Sequence, residues 1–144
     1  MGAASGQTRN LAALARLFHE SDETADRDRL AGLIHEDAEM TLVMTHFRPV
    51  KGRPAIMEAL YEERESALYG ASVEWYEWLD DETLFLRGHV RYAAVGRGVA
   101  QATIWWIDEF RDGLLWRVQA FRSEAAAREA YSRLRAAEPG DGRG

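Results

Sequence analysis

Residues 99–122, VAQATIWWIDEFRDGLLWRVQAFR, constrain the fold more than any other part of the chain. Two runs rich in β-branched and aromatic residues flank Arg111-Asp112-Gly113, and an Asp-Gly pair readily adopts the positive φ angles of a tight turn between antiparallel strands. The pattern therefore predicts a long β-hairpin. Trp105, Trp106 and Trp116 lie within it. Because neighbouring residues of a strand point to opposite sides, we expect both faces of the hairpin to be covered.

Apolar residues at helical spacing predict four helices outside the hairpin. Most have at a boundary the kind of residue that starts or ends a helix: a capping side chain, a proline at the first position or a glycine after the last. His19 falls on a more polar side of the first helix. The predicted helices are 11–18, a short one at 30–34 with Asp26 or Thr24 as its N-cap, 54–69 closed by Gly70, and 124–137 capped by Ser123.

Alternation of apolar and polar residues predicts strands at 38–46, 72–79 and 83–95, before the two strands of the hairpin. Helices and strands are segregated along the chain, which indicates an α+β fold. The expected architecture is a cone, in which a curved, mostly antiparallel β-sheet wraps around the three N-terminal and central helices and a C-terminal helix follows. A pocket would lie between the sheet and the helices.

Composition and charge limit the kinds of function that this chain can have. With 144 residues the chain is expected to form one domain over 9–137, with flexible ends at 1–8 and 138–144. It has no cysteine, which excludes disulfides and thiolate ligands and is compatible with the cytoplasm, where we expect the protein to work. A net charge of −6 argues against nucleic acid as a partner, and the lack of a long apolar run argues against a membrane.

Four short segments resemble the SnoaL-like branch of the superfamily that contains nuclear transport factors and ketosteroid isomerases. They are DRDRLAGL at 26–33, HEDA at 35–38, GRPAI at 52–56 and FRDGLL at 110–115, and together they set the register over roughly 9–131. The resemblance implies a cone-shaped α+β domain, a homodimer through the outer sheet face, and a mainly apolar pocket that works without a cofactor.

The resemblance also implies where catalytic groups would lie, and each of these positions is apolar in this chain. Ketosteroid isomerases use a first-helix tyrosine, a first-strand aspartate and a late-strand aspartic acid, which fall on Phe18, Leu42 and Trp106. The final-strand aspartate of the cyclases and epoxide hydrolases falls on Ala120, and the middle-strand histidine of the dehydratases falls on Gly88. No known mechanism of the superfamily therefore transfers directly.

The phase of the strands predicts which residues line the interior. If Trp106 points inward, strand alternation brings Asp108 and every second residue of the neighbouring strands with it. These residues would either line an open pocket for a flat apolar ligand or fill an ordinary core. The predicted lining consists of Phe18, Met40, Leu42, Met44, Ile56, Leu60, Tyr61, Leu86, Gly88, Val90, Ile104, Trp106, Phe110, Trp116, Val118 and Ala120.

Four residues are candidates for acid–base chemistry. Asp108, among large aromatic residues, would have its pKa raised by burial; if the strand phase is off by one residue, it lies instead at the sheet rim. His46 would act at the pocket mouth or lie in a solvated turn. His89 belongs to the outer, polar face, and becomes the leading base if the phase is reversed. Tyr92 would donate to a ligand carbonyl or be a core residue with a wet tip. No metal site is expected, since the histidines lie on separate elements.

Two functional hypotheses follow. The first is a cofactor-independent enzyme of secondary metabolism that cyclises, isomerises or dehydrates a hydrophobic polycyclic substrate resembling a polyketide, terpenoid or steroid. Such a pocket would fold the substrate into a reactive geometry and one or two of the acid–base candidates would move a proton. The second is a non-catalytic protein that binds such a ligand or only dimerises as an accessory subunit.

Overall fold

The long hairpin predicted from the sequence is confirmed. The computed structural model describes residues 2–20, 26–43, 47–66, 69–94 and 98–137. Asp112 and Gly113 join the two strands of the hairpin with φ angles of 55° and 76°. The elements in chain order are α1 (Gly2–Glu20), α2 (Arg27–Ala31), β1 (Ile34–Thr41), β2 (Pro49–Lys51), α3 (Arg53–Ser66), β3 (Tyr69–Asp80), β4 (Thr83–Ala94), β5 (Gly98–Arg111), β6 (Leu114–Phe121) and α4 (Glu124–Ala137).

The strands form one curled, six-stranded sheet in the order β2-β1-β6-β5-β4-β3. Strands β3 to β6 are the antiparallel meander that the sequence predicts, whereas β1 joins the last strand, β6, in parallel. This parallel pair makes the sheet mixed. The predicted α+β class is therefore confirmed. Within the described part of the chain, no helix is long and apolar enough to cross a membrane.

Several element boundaries differ from the prediction. Helix α1 begins at Gly2 and so extends into the segment expected to be flexible. Helix α2, capped by Asp26 as predicted, already ends at Ala31, because the next residue is Gly32 and Ile34 opens β1 by pairing with β6. Gly70 does not close α3, which ends at Ser66; it lies within β3, paired with β4.

Both faces of the sheet are covered, as the tryptophans of the hairpin predicted. The inner face holds the larger core, in which α1, α2 and α3 pack against the sheet around Trp106. The outer face holds a smaller cluster, in which Ala127 of α4 covers Phe85 and Ile107. The hydroxyl oxygen of Ser123 accepts a hydrogen bond from an amide in the first turn of α4 at 3.1 Å, which confirms it as the cap of that helix.

A β-bulge changes the phase of the hairpin near its turn. The β5–β6 register shifts between Glu109 and Phe110, which pair with Arg117 and Leu115. Trp116 is therefore an extra residue on β6 with no register partner on β5. As a result Leu115 is fully buried and Trp116 is only partly buried. The prediction that Trp116 lines the interior is therefore wrong, because simple alternation does not hold across a bulge.

Gly88 lies where β3 is too close to β4 to leave room for a side chain. A Cβ atom at this position would lie 2.0 Å from the carbonyl oxygen of Ser72 and 3.0 Å from the Trp106 ring. It faces the place where the register of β3 shifts, between Val73 and Trp75. Because the first of these contacts is with backbone, no side chain could be accommodated without moving the strand.

Candidate active site

Asp108 lies inside the sheet, on the inner face of β5. Its neighbours in register are Leu84 on β4 and Val118 on β6, both fully buried. The carboxyl group itself is completely inaccessible to solvent. The alternative interpretation, in which Asp108 lies at the sheet rim, does not hold. An acidic group is thus placed among apolar side chains, where it requires a partner.

The partner of Asp108 is His19, in the last turn of α1. The imidazole Nε2 atom lies 2.7 Å from Oδ2 of Asp108, and only 3% of the His19 side chain is exposed. The prediction that His19 lies on a more polar side of α1 is wrong. The signal was present in the sequence, since His19 follows Ala12 and Ala15 by seven and four residues, and both alanines are buried. Small residues made this stripe of the helix look less apolar than it is.

Two aromatic side chains hold the imidazole from different sides. The Trp106 and His19 ring centroids are 4.4 Å apart with an angle of 30° between the planes, which is a tilted stack. Phe18 and the same imidazole form a T-shaped pair, with ring centroids 5.2 Å apart and 77° between the planes. The hydrogen bond between His19 and Asp108 is thereby formed in an apolar, aromatic environment, in which electrostatic interactions are stronger than in water.

Burial raises the pKa of Asp108 above its ordinary value of 3.8, and the adjacent His19 opposes this rise only in part. The second carboxyl oxygen, Oδ1, is buried and has no hydrogen-bond partner within the described residues. When Oδ2 accepts a hydrogen bond from Nε2–H of His19, Oδ1 can carry the proton of the acid form. Oδ1 is therefore the atom of the pair that can make a further hydrogen bond.

The end of α1 that carries His19 is attached to the sheet by its next residue, Glu20. One carboxylate oxygen of Glu20 accepts a hydrogen bond from the amide of Val73 at 2.8 Å, and the other is 3.2 Å from Nε of Arg16. Val73 lies where the β3–β4 register shifts, and its amide is directed at the helix. This contact fixes the last turn of α1 relative to β3.

His89 lies on the opposite, outer face of the sheet, as its strand phase predicts. Its Nε2 atom is 2.9 Å from Glu74, which also binds Nε of Arg87 at 3.0 Å, and its Nδ1 atom is 3.4 Å from the hydroxyl of Thr103. His89 is therefore not brought together with Asp108. Within the described ranges, no three His, Asp or Glu side chains are grouped so that they could hold a metal ion.

The remaining predicted residues divide into three sets. Met44 and His46 lie outside the described residues, as do the side chains of Tyr61 and Tyr92. Trp116 is only partly buried, because the β-bulge turns it away from the inner core. The others are buried with Trp106 on the inner face, where their role in binding a ligand stays a prediction: Phe18, Met40, Leu42, Ile56, Leu60, Leu86, Gly88, Val90, Ile104, Phe110, Val118 and Ala120.

Proton-handling groups thus lie next to the positions that the resemblance singled out, not on them. His19 and Asp108 are on a first helix and a late strand, the two elements that carry the oxyanion hole in ketosteroid isomerases according to the resemblance. They follow Phe18 by one residue and Trp106 by two. The matched segments begin after α1 and reach only the last two residues of β5, so they did not fix the alignment to the exact residue at either position.

No family model and no curated protein sequence matches the chain. Several solved structures do match it in three dimensions. An M. tuberculosis LEH-like epoxide hydrolase is 13% identical, with a TM-score of 0.65 over 88% of this chain and 91% of that one. The Δ5-3-ketosteroid isomerase from Mycobacterium sp. is also 13% identical, with a TM-score of 0.63 over 81% and 95%. A candidate polyketide cyclase from Sinorhizobium meliloti is 18% identical, with a TM-score of 0.63 over 76% and 94%.

These likenesses establish the fold. The curled sheet and its helices form the cone typical of proteins like nuclear transport factor 2 (NTF2-like proteins). The fold predicted from the resemblance to the SnoaL-like and ketosteroid-isomerase-like proteins is therefore confirmed. At such identities a shared fold does not transfer an activity or a substrate.

Proposed function

We propose that this protein is a cofactor-independent enzyme that carries out acid–base chemistry on a hydrophobic small molecule. The observation that carries the proposal is the buried pair of Asp108 and His19, in which one carboxyl oxygen is hydrogen-bonded and the other is left without a partner in the described part of the chain. A buried polar group of this kind is costly to a fold, and such groups are often retained at sites of chemistry.

In the proposed reaction Asp108 is the proton carrier and His19 sets its state. His19 holds Oδ2, which leaves Oδ1 to donate a proton to a carbonyl, hydroxyl or epoxide oxygen of the substrate, or to accept one from an acidic C–H or O–H bond. The raised pKa of Asp108 suits this role, because a carboxyl group that keeps its proton nearer neutral pH is a better general acid. Isomerisation, cyclisation and dehydration all need this kind of transfer.

The surroundings of the pair favour an apolar, ring-containing substrate. Trp106, Phe110 and Phe18 are buried on the same inner face, with aliphatic side chains between them. A charged ligand would lose its hydration there without replacement, whereas a polycyclic polyketide-, terpenoid- or steroid-like molecule would exchange water for aromatic contacts. We place the activity in the cytoplasm and in secondary metabolism.

A protein that binds such a ligand without converting it is the second candidate. The observation that favours it is the apolar or glycine residue at every catalytic position implied by the resemblance, of which Trp106, Ala120 and Leu42 are buried in the core. In that case the buried pair would serve only to hold a polar atom of the ligand.

Turnover measurements separate the two candidates. A panel of polycyclic ketones, enones and epoxides is incubated with the wild type, with Asp108→Asn and His19→Gln, and with Asp81→Asn as a control at an exposed acid. We expect kcat to fall roughly 100-fold or more in the first two variants and to stay unchanged in the control. A compound that native mass spectrometry finds bound but unchanged would support the binding protein, and turnover that is indifferent to both pair variants would refute the proposed enzyme.

We also propose that the protein forms a homodimer through the part of the outer sheet face that α4 does not cover. That part contains a depression of about 360 Å³ lined by Gly70, Ala71, Ser72, His89, Arg91 and Gln101. In sedimentation velocity, Gln101→Glu should shift the wild-type dimer towards the monomer, whereas Ser132→Glu, which adds the same charge on α4, should not. A wild type that is monomeric at every concentration would refute this proposal.

A further inference from the structure

Trp106 is in contact with the acid–base pair but supplies no polar atom to it. Its indole stacks on the His19 ring at 4.4 Å, two residues before Asp108 on the same strand. It is also one of the largest fully buried side chains of the protein. Trp106 thus contacts the ring of His19 and shares the inner face of β5 with Asp108.

The indole has a small residue beside it on each neighbouring strand, although its register partner on β4 is Leu86. On β4 it lies beside Gly88, where even a Cβ atom would be 3.0 Å from its Cζ3 atom. On β6 it is in register with Ala120. A side chain at Gly88 would meet the ring directly. A larger side chain at Ala120 would begin about 5 Å from the Cβ atom of Trp106 and crowd the indole. The small residues Gly88 and Ala120 therefore leave the room that the indole of Trp106 occupies.

We propose that Trp106 is a positioning residue: its ring fixes the plane of the His19 imidazole and keeps water from the hydrogen bond between Nε2 and Asp108 Oδ2. An imidazole with one free face could rotate about its side-chain bonds and exchange its bonded proton with solvent. The indole covers one face and Phe18 meets the ring from another direction, so the orientation with Nε2 towards β5 is retained. The importance of Trp106 for turnover rests on the proposed function, whereas its ordering of His19 does not.

The groups around the pair are consistent with a dry hydrogen bond. Glu20, the next residue of α1, is occupied by Val73 and Arg16, and Glu109, the next residue of β5, faces Arg117 on the outer side of the sheet. Within the described residues, the pair therefore depends on its own hydrogen bond and on the aromatic rings.

NMR of the free protein tests the proposal without any substrate. The proton shared by His19 and Asp108 should give a downfield resonance that exchanges slowly with water, and the nearby indole should shift the carbon-bound ring protons of His19 upfield. Trp106→Leu removes the aromatic face and should accelerate exchange of the shared proton by roughly tenfold or more, equivalent to about 1.4 kcal/mol in opening free energy.

Two further variants distinguish positioning from general stability. Trp106→Phe keeps an aromatic face and should restore most of the slow exchange. Phe85→Leu removes a fully buried aromatic residue from the outer cluster and should leave the His19 signals unchanged. Equal acceleration in Phe85→Leu and Trp106→Leu would overturn the proposal.

The wild type provides an independent measurement if Trp106→Leu does not fold. Absence of the upfield shift on His19, or rapid exchange of its bonded proton in the native protein, would overturn the proposal directly. Once a substrate is known, a folded Trp106→Leu variant should lower kcat more than it changes KM, and Trp106→Phe should restore most of kcat. Slow exchange in the wild type together with inactive protein would refute the proposed function but not the positioning role.

Discussion

Replacing Asp108 with asparagine tests the electrostatics of the buried pair through the stability of the protein. The two side chains have nearly the same shape, and the amide can still hydrogen-bond to His19, so packing changes little. What changes is titration. Asp108 can gain or lose a proton and asparagine cannot, so the pH dependence of unfolding should differ between the two proteins even though their structures are alike.

The sign follows from the direction of the pKa. Burial raises the pKa of Asp108 above 3.8, so the native state keeps this proton to a higher pH than the unfolded state does. The stability that Asp108 contributes is complete below 3.8 and is lost as pH rises towards the raised pKa. Within that window the unfolding free energy of the wild type falls by about 1.4 kcal/mol per pH unit relative to Asp108→Asn. The unfolding free energy of the variant, relative to that of the wild type, should therefore increase as the pH rises.

Urea denaturation at intervals from pH 3.5 to 8 measures this difference. Titrating groups that do not touch Asp108 are common to both proteins and cancel when the two curves are subtracted. His19 is bonded to Asp108, so the difference reports on the pair as a unit. Asp81→Asn serves as the control, since its exposed carboxylate should leave the curve parallel to the wild type. A curve for Asp108→Asn that also runs parallel to that of the wild type would refute the raised pKa. A stability difference in favour of the variant that shrinks as pH rises would do the same.

Three other substitutions test the fold. Gly88→Ala places a Cβ atom 2.0 Å from a backbone oxygen, so it should lower the unfolding free energy by about 3 kcal/mol in urea titration, and wild-type stability would contradict the close approach of β3 and β4. Leu115→Ala should cost about 2–5 kcal/mol and Trp116→Ala much less, because the bulge buries only the former; the reverse order would refute the bulge. Ser123→Ala should cost about 1 kcal/mol in thermal or urea unfolding, and no loss would contradict its capping role.

Local sequence signals predicted most of the fold. The Asp112-Gly113 turn, the Ser123 cap and the alternating strands of the meander each depend on residues close in the chain, and each is confirmed. The parallel pairing of β1 with β6 was not predicted, because it joins segments far apart in the sequence and leaves no local pattern. Trp116 was misplaced because a one-residue bulge reverses the strand phase without any marker in the composition.

Of the two residues in the candidate site, the sequence predicted Asp108 but not His19, because only the first depends on a local pattern. The burial of Asp108 follows from the phase of one strand and could be read from the neighbours of Trp106. Its partner lies 89 residues away on a helix, and the contact depends on how α1 docks against the sheet. An assignment of His19 from the sequence would have needed the short alanine stripe at Ala12 and Ala15 to be taken as the buried face.

The attachment of α1 to β3 by Glu20 means that the two members of the buried pair are held in different ways. Asp108 belongs to a strand held on both sides by backbone hydrogen bonds, whereas His19 comes from a helix end secured to the edge strand by a side chain. Exchange of the last turn of that helix could therefore introduce a different proton-handling group opposite Asp108 while the sheet stays as it is. Under the proposed function, the sheet would supply the acid and the last turn of α1 would determine which reaction it serves.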